Sequence, residues 1–270
     1  MKFTIITVAY NEEHNIRRTI ESVFNQTCQD YEYIICDGLS QDRTIEFAKS
    51  YQNGFLEKGV RYIVNSEKDG GIYYGMNKGI EMATGDYICF LNAGDWFYDH
   101  DVLADISHFL EKNSDVDIFY GDTAVVERGV VSIAVGNHEN LNDHMTICHQ
   151  ATWVKTELMK ERPFNVSYRV AADYDFFLSS KLNGRSFKHF DRVLVYYQNG
   201  GVSTINIDSI LEDHFRICDA YHIDIDKKVV RANRIRVTRL YKLKLLIPKK
   251  LWYWWSVKVK KKTLLDENQG

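Results

Sequence analysis

Phe3-Thr4-Ile5-Ile6-Thr7-Val8-Ala9-Tyr10-Asn11-Glu12-Glu13 starts as an unbroken apolar and β-branched run and turns polar immediately after Ala9. A short run of this kind reads as a strand covered on both faces. Ile16, Ile20, Val23 and Phe24 follow at helical spacing, so the first unit is strand then helix. The unit recurs outward along the chain. Tyr31 to Cys36 precedes a helix near Asp42 to Tyr51, Val60 to Val64 precedes Ile72 to Met82, and Tyr87 to Leu91 precedes Val102 to Leu110. This alternation predicts an α/β fold with a mostly parallel central sheet and helices on both faces. After Asp117 to Tyr120 the alternation fails. Thr123 to Val135 reads as a hairpin around Glu127-Arg128-Gly129, and the second half reads as mixed α and β with helices near Asp173 to Leu182 and Asp208 to Tyr221.

Composition narrows the class. The chain has 270 residues, 45% of them apolar and 26% charged, which excludes a disordered or fibrous protein. Five cysteines at wide spacing, none in a C-x-x-C, argue against a zinc ribbon, a thioredoxin-type site and a disulfide framework, and favour a reducing cytoplasm. Polar residues arrive by Asn11, too early for a signal peptide, and no apolar run approaches the roughly 18 residues of a spanning helix. The chain is therefore expected to be neither secreted by that route nor integral to a membrane. Its net charge of −3 hides an asymmetry, because Lys227 to Lys262 holds fourteen Lys and Arg and no acid.

In an open parallel sheet, ligands bind beyond the carboxyl ends of the strands. Those positions are polar here: Tyr10-Asn11-Glu12-Glu13, then Asp37 to Thr44, then Glu67-Lys68-Asp69-Gly70-Gly71, then Asn92-Ala93-Gly94-Asp95. Helix capping and turns explain one such segment better than four in succession. The chain contains no G-x-x-x-x-G-K-[ST], no G-x-G, no G-x-S-x-G and no H-E-x-x-H, so the P-loop, dinucleotide, hydrolase and zincin readings fall. A site lined by Asp37, Asp69 and Asp95 repels a bare pyrophosphate, and a Mg²⁺ or Mn²⁺ ion bridging carboxylate and phosphate oxygens removes that conflict.

Ile6 to Glu12, Asp37 to Thr44, Glu67 to Gly79 and Gly85 to Asp95 resemble, in order, the motifs of family 2 glycosyltransferases. The resemblance spans roughly residues 1 to 205 and is closest to the bacterial exopolysaccharide branch typified by the colanic acid enzymes. It implies the Rossmann-like GT-A fold, a nucleotide-diphosphate sugar donor and inversion at the anomeric carbon. Carried over by position, it implies that Thr7, Ala9, Tyr10 and Glu12 line the nucleoside pocket, that Asp37 accepts a hydrogen bond from the base, and that Asp69 and Asn92 face the donor. Asp95 falls where the family has its Asp-x-Asp motif. The usual neighbouring acid is Gly94, which leaves Asp95 as the one strong metal ligand, and a plain helix-capping role for Asp95 stands beside that reading. Val170-Ala171-Ala172-Asp173 resembles the base motif with Ala172 in place of Glu, and selects Asp173. Asp175 points to a different side of the same helix and reads as a first-turn acid. Cys148-His149-Gln150 resembles the His-Gln element of this branch, in which His149 contacts diphosphate, metal or acceptor. Gly200-Gly201-Val202-Ser203-Thr204 resembles the stretch that closes the domain.

Trp252, Trp254 and Trp255 fall among the lysines of the basic tail. Aromatic rings and basic side chains together suit an anionic membrane surface; a helix packed on the catalytic domain is the alternative, and nucleic acid is disfavoured by the acidic remainder. The expected organisation is a catalytic domain over 1–225 and a basic, Trp-rich membrane-associating helical segment over 226–270. The expected activity is sugar transfer to a polyprenyl-linked or other glycan acceptor on the inner face of a bacterial plasma membrane. A sugar nucleotidyltransferase and a non-catalytic nucleotide-sugar-binding subunit are the competing readings.

Overall fold

The computed structural model describes residues 2–199, 207–260 and 263–265. The Gly200 to Thr204 stretch therefore lies outside the described residues. Strands β1 (Phe3–Ala9), β2 (Tyr31–Asp37), β3 (Arg61–Ser66) and β4 (Tyr87–Phe90) form a parallel block in the order β3-β2-β1-β4. The order reverses between β1 and β4, which is where such a sheet opens a crevice. Helices α1 (Ile16–Phe24), α2 (Thr44–Ser50), α3 (Gln52–Glu57), α4 (Ile72–Met82) and α5 (Val102–Glu111) alternate with these strands, and the short β5 (Trp96–Phe97) precedes α5. The second half supplies β6 (Ile118–Glu127), β7 (Val130–Ala134), β8 (Thr152–Lys155) and β9 (Phe187–Gln198), with α6 (Thr156–Glu161) and α7 (Ala172–Leu182) between β8 and β9. There the pairing is mostly antiparallel: β8 joins β4 to β6, and β7 returns along β6. The expected hairpin is present, and the long β6 begins at Ile118, within the Asp117 to Tyr120 segment after which the alternation fails.

The two-residue period of β1 explains the core. Phe3 and Ile5 pack with Ile16, Ile20 and Val23 of α1 on one face, and Ile6 and Val8 pack with Met76 and Ile80 of α4 on the other. On that second face the helix lies directly on the strand. A Cβ at Gly75 would meet Val8 Cγ1 at 2.6 Å, and one at Gly79 would meet Ile6 Cγ2 at 2.5 Å. Glycine at both positions is what lets α4 approach so closely.

The tail forms α8 (Ile207–Ala220), α9 (Lys227–Leu245) and α10 (Lys249–Trp254), ending in β10 (Thr263–Leu264), which pairs with β7. Asp226 caps α9 by accepting from the Lys228 and Val229 amides. The Arg128 guanidinium, at the β6–β7 turn, donates to the carbonyls of Lys244 at 2.6 Å and Ile247 at 2.7 Å, and Trp252 is 1% exposed beside it. The boundary expected at 225/226 thus marks no break in packing. The three tail tryptophans also part company: Trp252 is a core residue rather than an interfacial one, whereas Trp254 is 61% exposed. Trp252→Ala is expected to cost about 3 kcal/mol of unfolding free energy and Trp254→Ala less than about 0.5, read by urea denaturation. Equal effects would place both rings in the same environment, contrary to the packing.

Candidate active site

An open cleft of about 1260 Å³ lies at the carboxyl ends of β1 and β4. Its lining brings Glu12, Asn92 to Asp95, His149, Gln150 and Asp173 together with Val230, Asn233, Arg234 and Val237, which form a wall from α9. The loop after β4 is shaped by Gly94, whose φ of +101° is closed to residues with a Cβ. No helix follows Asp95 directly; β5 does. Its carboxylate caps nothing and instead accepts from the Gln198 amide and from Gln150 Nε2, both at 2.9 Å.

Asp173 opens α7 and is held from three directions. Its Oδ1 accepts from the Tyr73 hydroxyl at 2.9 Å and from the Tyr174 amide at 3.0 Å, and its Oδ2 accepts from His149 Nδ1 at 3.0 Å. The other ring nitrogen, Nε2, lies 3.1 Å from Asn92 Nδ2. Burial pushes the Asp173 carboxyl up, but the hydrogen bond and field of His149, with Tyr73 and the Tyr174 amide, outweigh it and hold the group below the usual carboxylate range. Asp95 shows the reverse. Burial raises it to about 6, and Gln198 and Gln150 offset only part of that. Both donors to the Asp95 carboxylate are uncharged amides. The expected separation of Asp173 from Asp175 holds, but Asp175 is buried and bonded to Arg162 Nη2 at 2.9 Å and to the Tyr221 hydroxyl at 2.9 Å. It is the expected first-turn acid of α7 and, in addition, half of a buried ion pair.

The model for Glycosyl transferase family 2 matches residues 4–170. The chain belongs to this family. A PGL/p-HBAD biosynthesis glycosyltransferase of Mycobacterium bovis is 31% identical over 209 residues, 76% of this chain and 80% of the relative. Among solved structures, S. aureus TarS 1–349 in complex with UDP-GlcNAc superposes with a TM-score of 0.68 at 19% identity, covering 92% of this chain and 76% of that one. The mannosyltransferase PcManGT from Pyrobaculum calidifontis, in complex with GDP-Man and Mn²⁺, gives 0.63 at 14%, covering 83% and 65%. The fold of this glycosyltransferase is accordingly GT-A.

Placed on that fold, the expected site residues divide into three groups. Glu12, Asn92, Asp95, His149 and Asp173 line the cleft together. Tyr10 and Asp69 lie beside it, flanking Gly38, with the Tyr10 ring exposed and Asp69 Oδ1 accepting from the Gly71 amide at 2.9 Å. Thr7, Ala9 and Asp37 are not among the residues that line the cleft. Thr7 is fully buried, its hydroxyl donating to the Leu91 carbonyl at 2.6 Å and paired with the Tyr33 hydroxyl, and Ala9 packs in the core. Asp37 is buried and spends its carboxylate on the Ser40 amide and hydroxyl and on the Ser66 hydroxyl, pinning the loop after β2. Strand-end position alone does not tell an inward from an outward side chain. Tyr73, Gln150 and the α9 wall were not singled out by the sequence reading, although Tyr73 and Gln150 lie inside quoted motifs.

The site is compatible with a divalent cation on one condition. Among the described residues no three His, Cys, Asp or Glu side chains gather as a metal cage. The buried carboxylate of Asp95 supplies one hard oxygen donor, and Mg²⁺ or Mn²⁺ takes few protein ligands when substrate phosphates complete its shell. Because the folded value of about 6 exceeds the unfolded 3.8, the stability linked to protonated Asp95 is present below pH 3.8 and is lost as pH rises through about 6. At pH 7.5 in chelator the cost is about 3 kcal/mol at most. The melting temperature of Asp95→Asn relative to wild type is therefore expected to be higher at pH 7.5 than at pH 4.5. Mn²⁺ with a nucleoside diphosphate is expected to stabilise only the wild type. The same Asn-minus-wild-type difference at both pH values would refute the assignment.

Proposed function

We propose that this glycosyltransferase moves a sugar, with inversion, from a nucleotide-diphosphate donor to a hydroxyl of a lipid-linked glycan in bacterial surface or exopolysaccharide biosynthesis. The observation that carries the reading is the placement of Asp95 and Asp173 on one cleft at the β1/β4 switch point, one carboxylate short of a cation and the other kept ionised. The complexes of TarS with UDP-GlcNAc and of PcManGT with GDP-Man and Mn²⁺ support a donor of this class. Tyr10, Asp69 and Glu12 are proposed to border the nucleotide, with Asn92 and His149 beyond them toward the reacting centre.

Asp95 would hold the cation, which neutralises charge building on the departing diphosphate. Asp173 receives the proton of the acceptor hydroxyl as its oxygen bonds to the anomeric carbon. The bond from that carbon to the diphosphate breaks, and its electron pair leaves with the nucleoside diphosphate. Attack from the face opposite the leaving group inverts the centre, and a carboxylate already ionised at neutral pH is ready to accept.

For the acceptor, the support is the tail. Leu240, Leu243, Leu246, Leu251, Trp254 and Trp255 are exposed on α9 and in the segment from Leu246 to Trp255, among Lys242, Lys249, Lys250, Lys258 and Lys260. No described helix is long and apolar enough to cross a membrane. A surface of this composition suits peripheral attachment to anionic lipid, here proposed at the cytoplasmic leaflet.

Asp173→Asn is expected to lower kcat by about 10² to 10⁴ with donor KM within about threefold. Activity within threefold of wild type would remove Asp173 from the chemistry, and release of pyrophosphate in place of nucleoside diphosphate would identify a nucleotidyltransferase. On vesicles containing phosphatidylglycerol, the wild type is expected to sediment at 0.1 M salt and to stay bound at 0.3 M. A Trp254→Ala, Trp255→Ala double variant is expected to bind only at the lower salt, because charge attraction is screened and ring insertion is not. Failure of the wild type to bind at all would redirect the search to soluble acceptors.

A further inference from the structure

We propose that His149, held in one tautomer by Asn92, is a positioning residue for Asp173: it keeps the carboxylate ionised and settles which of its oxygens takes the acceptor's proton. The proposal rests on the glycosyl-transfer reading above and gives His149 a task on the base side of the reaction rather than at the nucleotide.

The argument starts at Asn92. Its Nδ2 has only hydrogens to offer, so His149 Nε2, 3.1 Å away, must accept. The proton of the neutral ring then sits on Nδ1, which donates to Asp173 Oδ2 across 3.0 Å. The other tautomer would oppose Nε2–H to the amide hydrogens and an Nδ1 lone pair to the carboxylate, losing both bonds. A carboxylate has about four acceptor positions. Tyr73 and the Tyr174 amide fill the two on Oδ1, and His149 fills one on Oδ2. The vacant position is on Oδ2, the oxygen that His149 orients, and that is where the proton of the acceptor hydroxyl goes.

The surroundings give His149 its leverage. Tyr73 from α4, the Tyr174 amide from α7, and Asn92 and Asp95 from the loop after β4 face the pair, and none of them is a cation. With burial the largest influence on Asp173 and opposed chiefly by His149, loss of the imidazole moves the carboxyl upward. Asn92 Oδ1 is buried without a hydrogen-bond partner, and turning the amide over would set it to accept from Nε2–H of a doubly protonated ring; the ¹⁵N spectrum of the ring separates the two arrangements.

Three measurements on the full chain test the proposal. In ¹⁵N-labelled wild type, without donor, the His149 ring is expected to show Nδ1 protonated and Nε2 bare. Asn92→Asp, whose carboxylate accepts from Nε2–H, is expected to show both nitrogens protonated. The Asp173 ¹³C carboxyl is expected to titrate at higher pH in His149→Ala than in wild type. In turnover at saturating donor, His149→Ala is expected to lose at least about tenfold in kcat with donor KM within about threefold, and its acid limb is expected to move up in pH. His149→Asn, whose amide can replace the Nδ1 donor, is expected to recover most of kcat and return the limb; His149→Gln is not. A protonated Nε2 in the wild type, an unmoved Asp173 titration, or a raised donor KM at unchanged kcat overturns the proposal. The spectra need no turnover, so a chain that transfers no sugar defeats the glycosyl-transfer reading while the ring and carboxyl signals still decide this one.

Discussion

The seat of α4 on β1 is the contact on which the site depends. Gly75 and Gly79 present no Cβ to Val8 and Ile6, so the helix lies against the strand with nothing between. Its first turn is thereby brought over the carboxyl end of β1, and the Tyr73 hydroxyl comes within 2.9 Å of Asp173 on α7. A methyl group at Gly79 would have to push away the branched end of Ile6, which is fully buried. In a close-packed interior such a displacement passes to the helix, and a shift of about 1 Å is enough to break a hydrogen bond of that length. Glycine spacing in the core is in this way a condition of the chemistry at the surface.

The two cleft carboxylates show how burial is handled in opposite ways. Asp173 is given three donors and stays an anion; Asp95 is given two and is left with a raised pKa of about 6. Burying a charge without full compensation is expensive, and a fold tolerates it where a ligand completes the compensation. The pair therefore distinguishes a position ready without ligand from one that is completed by ligand. A second carboxylate at position 94 would need an L-residue at φ +101° and would add to the repulsion.

Much of this architecture was legible from periodicity. β1, β2, α1 and α4 are regular and apolar on the faces that meet, so strand and helix periods identify them, and α4 was read from Ile72 to Met82 as it stands, whereas the short α3 was not read as a separate helix. The cleft was legible as a set of polar segments, and five of the ten residues named in advance line it. What escaped was direction. Thr7, Ala9 and Asp37 stand at or near the same strand ends as the cleft residues, yet β1 and β2 are covered on both faces, and a polar side chain there can turn into the core and be satisfied by Tyr33 or by Ser40 and Ser66. Contacts between distant segments escaped for the same reason. The Tyr73 to Asp173 bond joins residues one hundred positions apart, and no local period encodes it.

The tail raises a question of coupling rather than of attachment alone. Val230, Asn233, Arg234 and Val237 make α9 a wall of the cleft, while Leu240 and Leu243 on the same helix are exposed. Arg128 clamps the end of α9, and Trp252 anchors α10 in the hairpin turn that also binds β10. Removing the tail to isolate a membrane anchor would thus remove part of the cleft and uncover the hairpin as well. Whatever surface the exposed leucines meet, a helix of nineteen residues transmits its position along its length to the cleft wall. Under the proposed membrane attachment, the side of the cleft formed by α9 is the side nearest the lipid. An acceptor held at that surface would then meet a cleft whose lining α9 shares with Asp95 and Asp173.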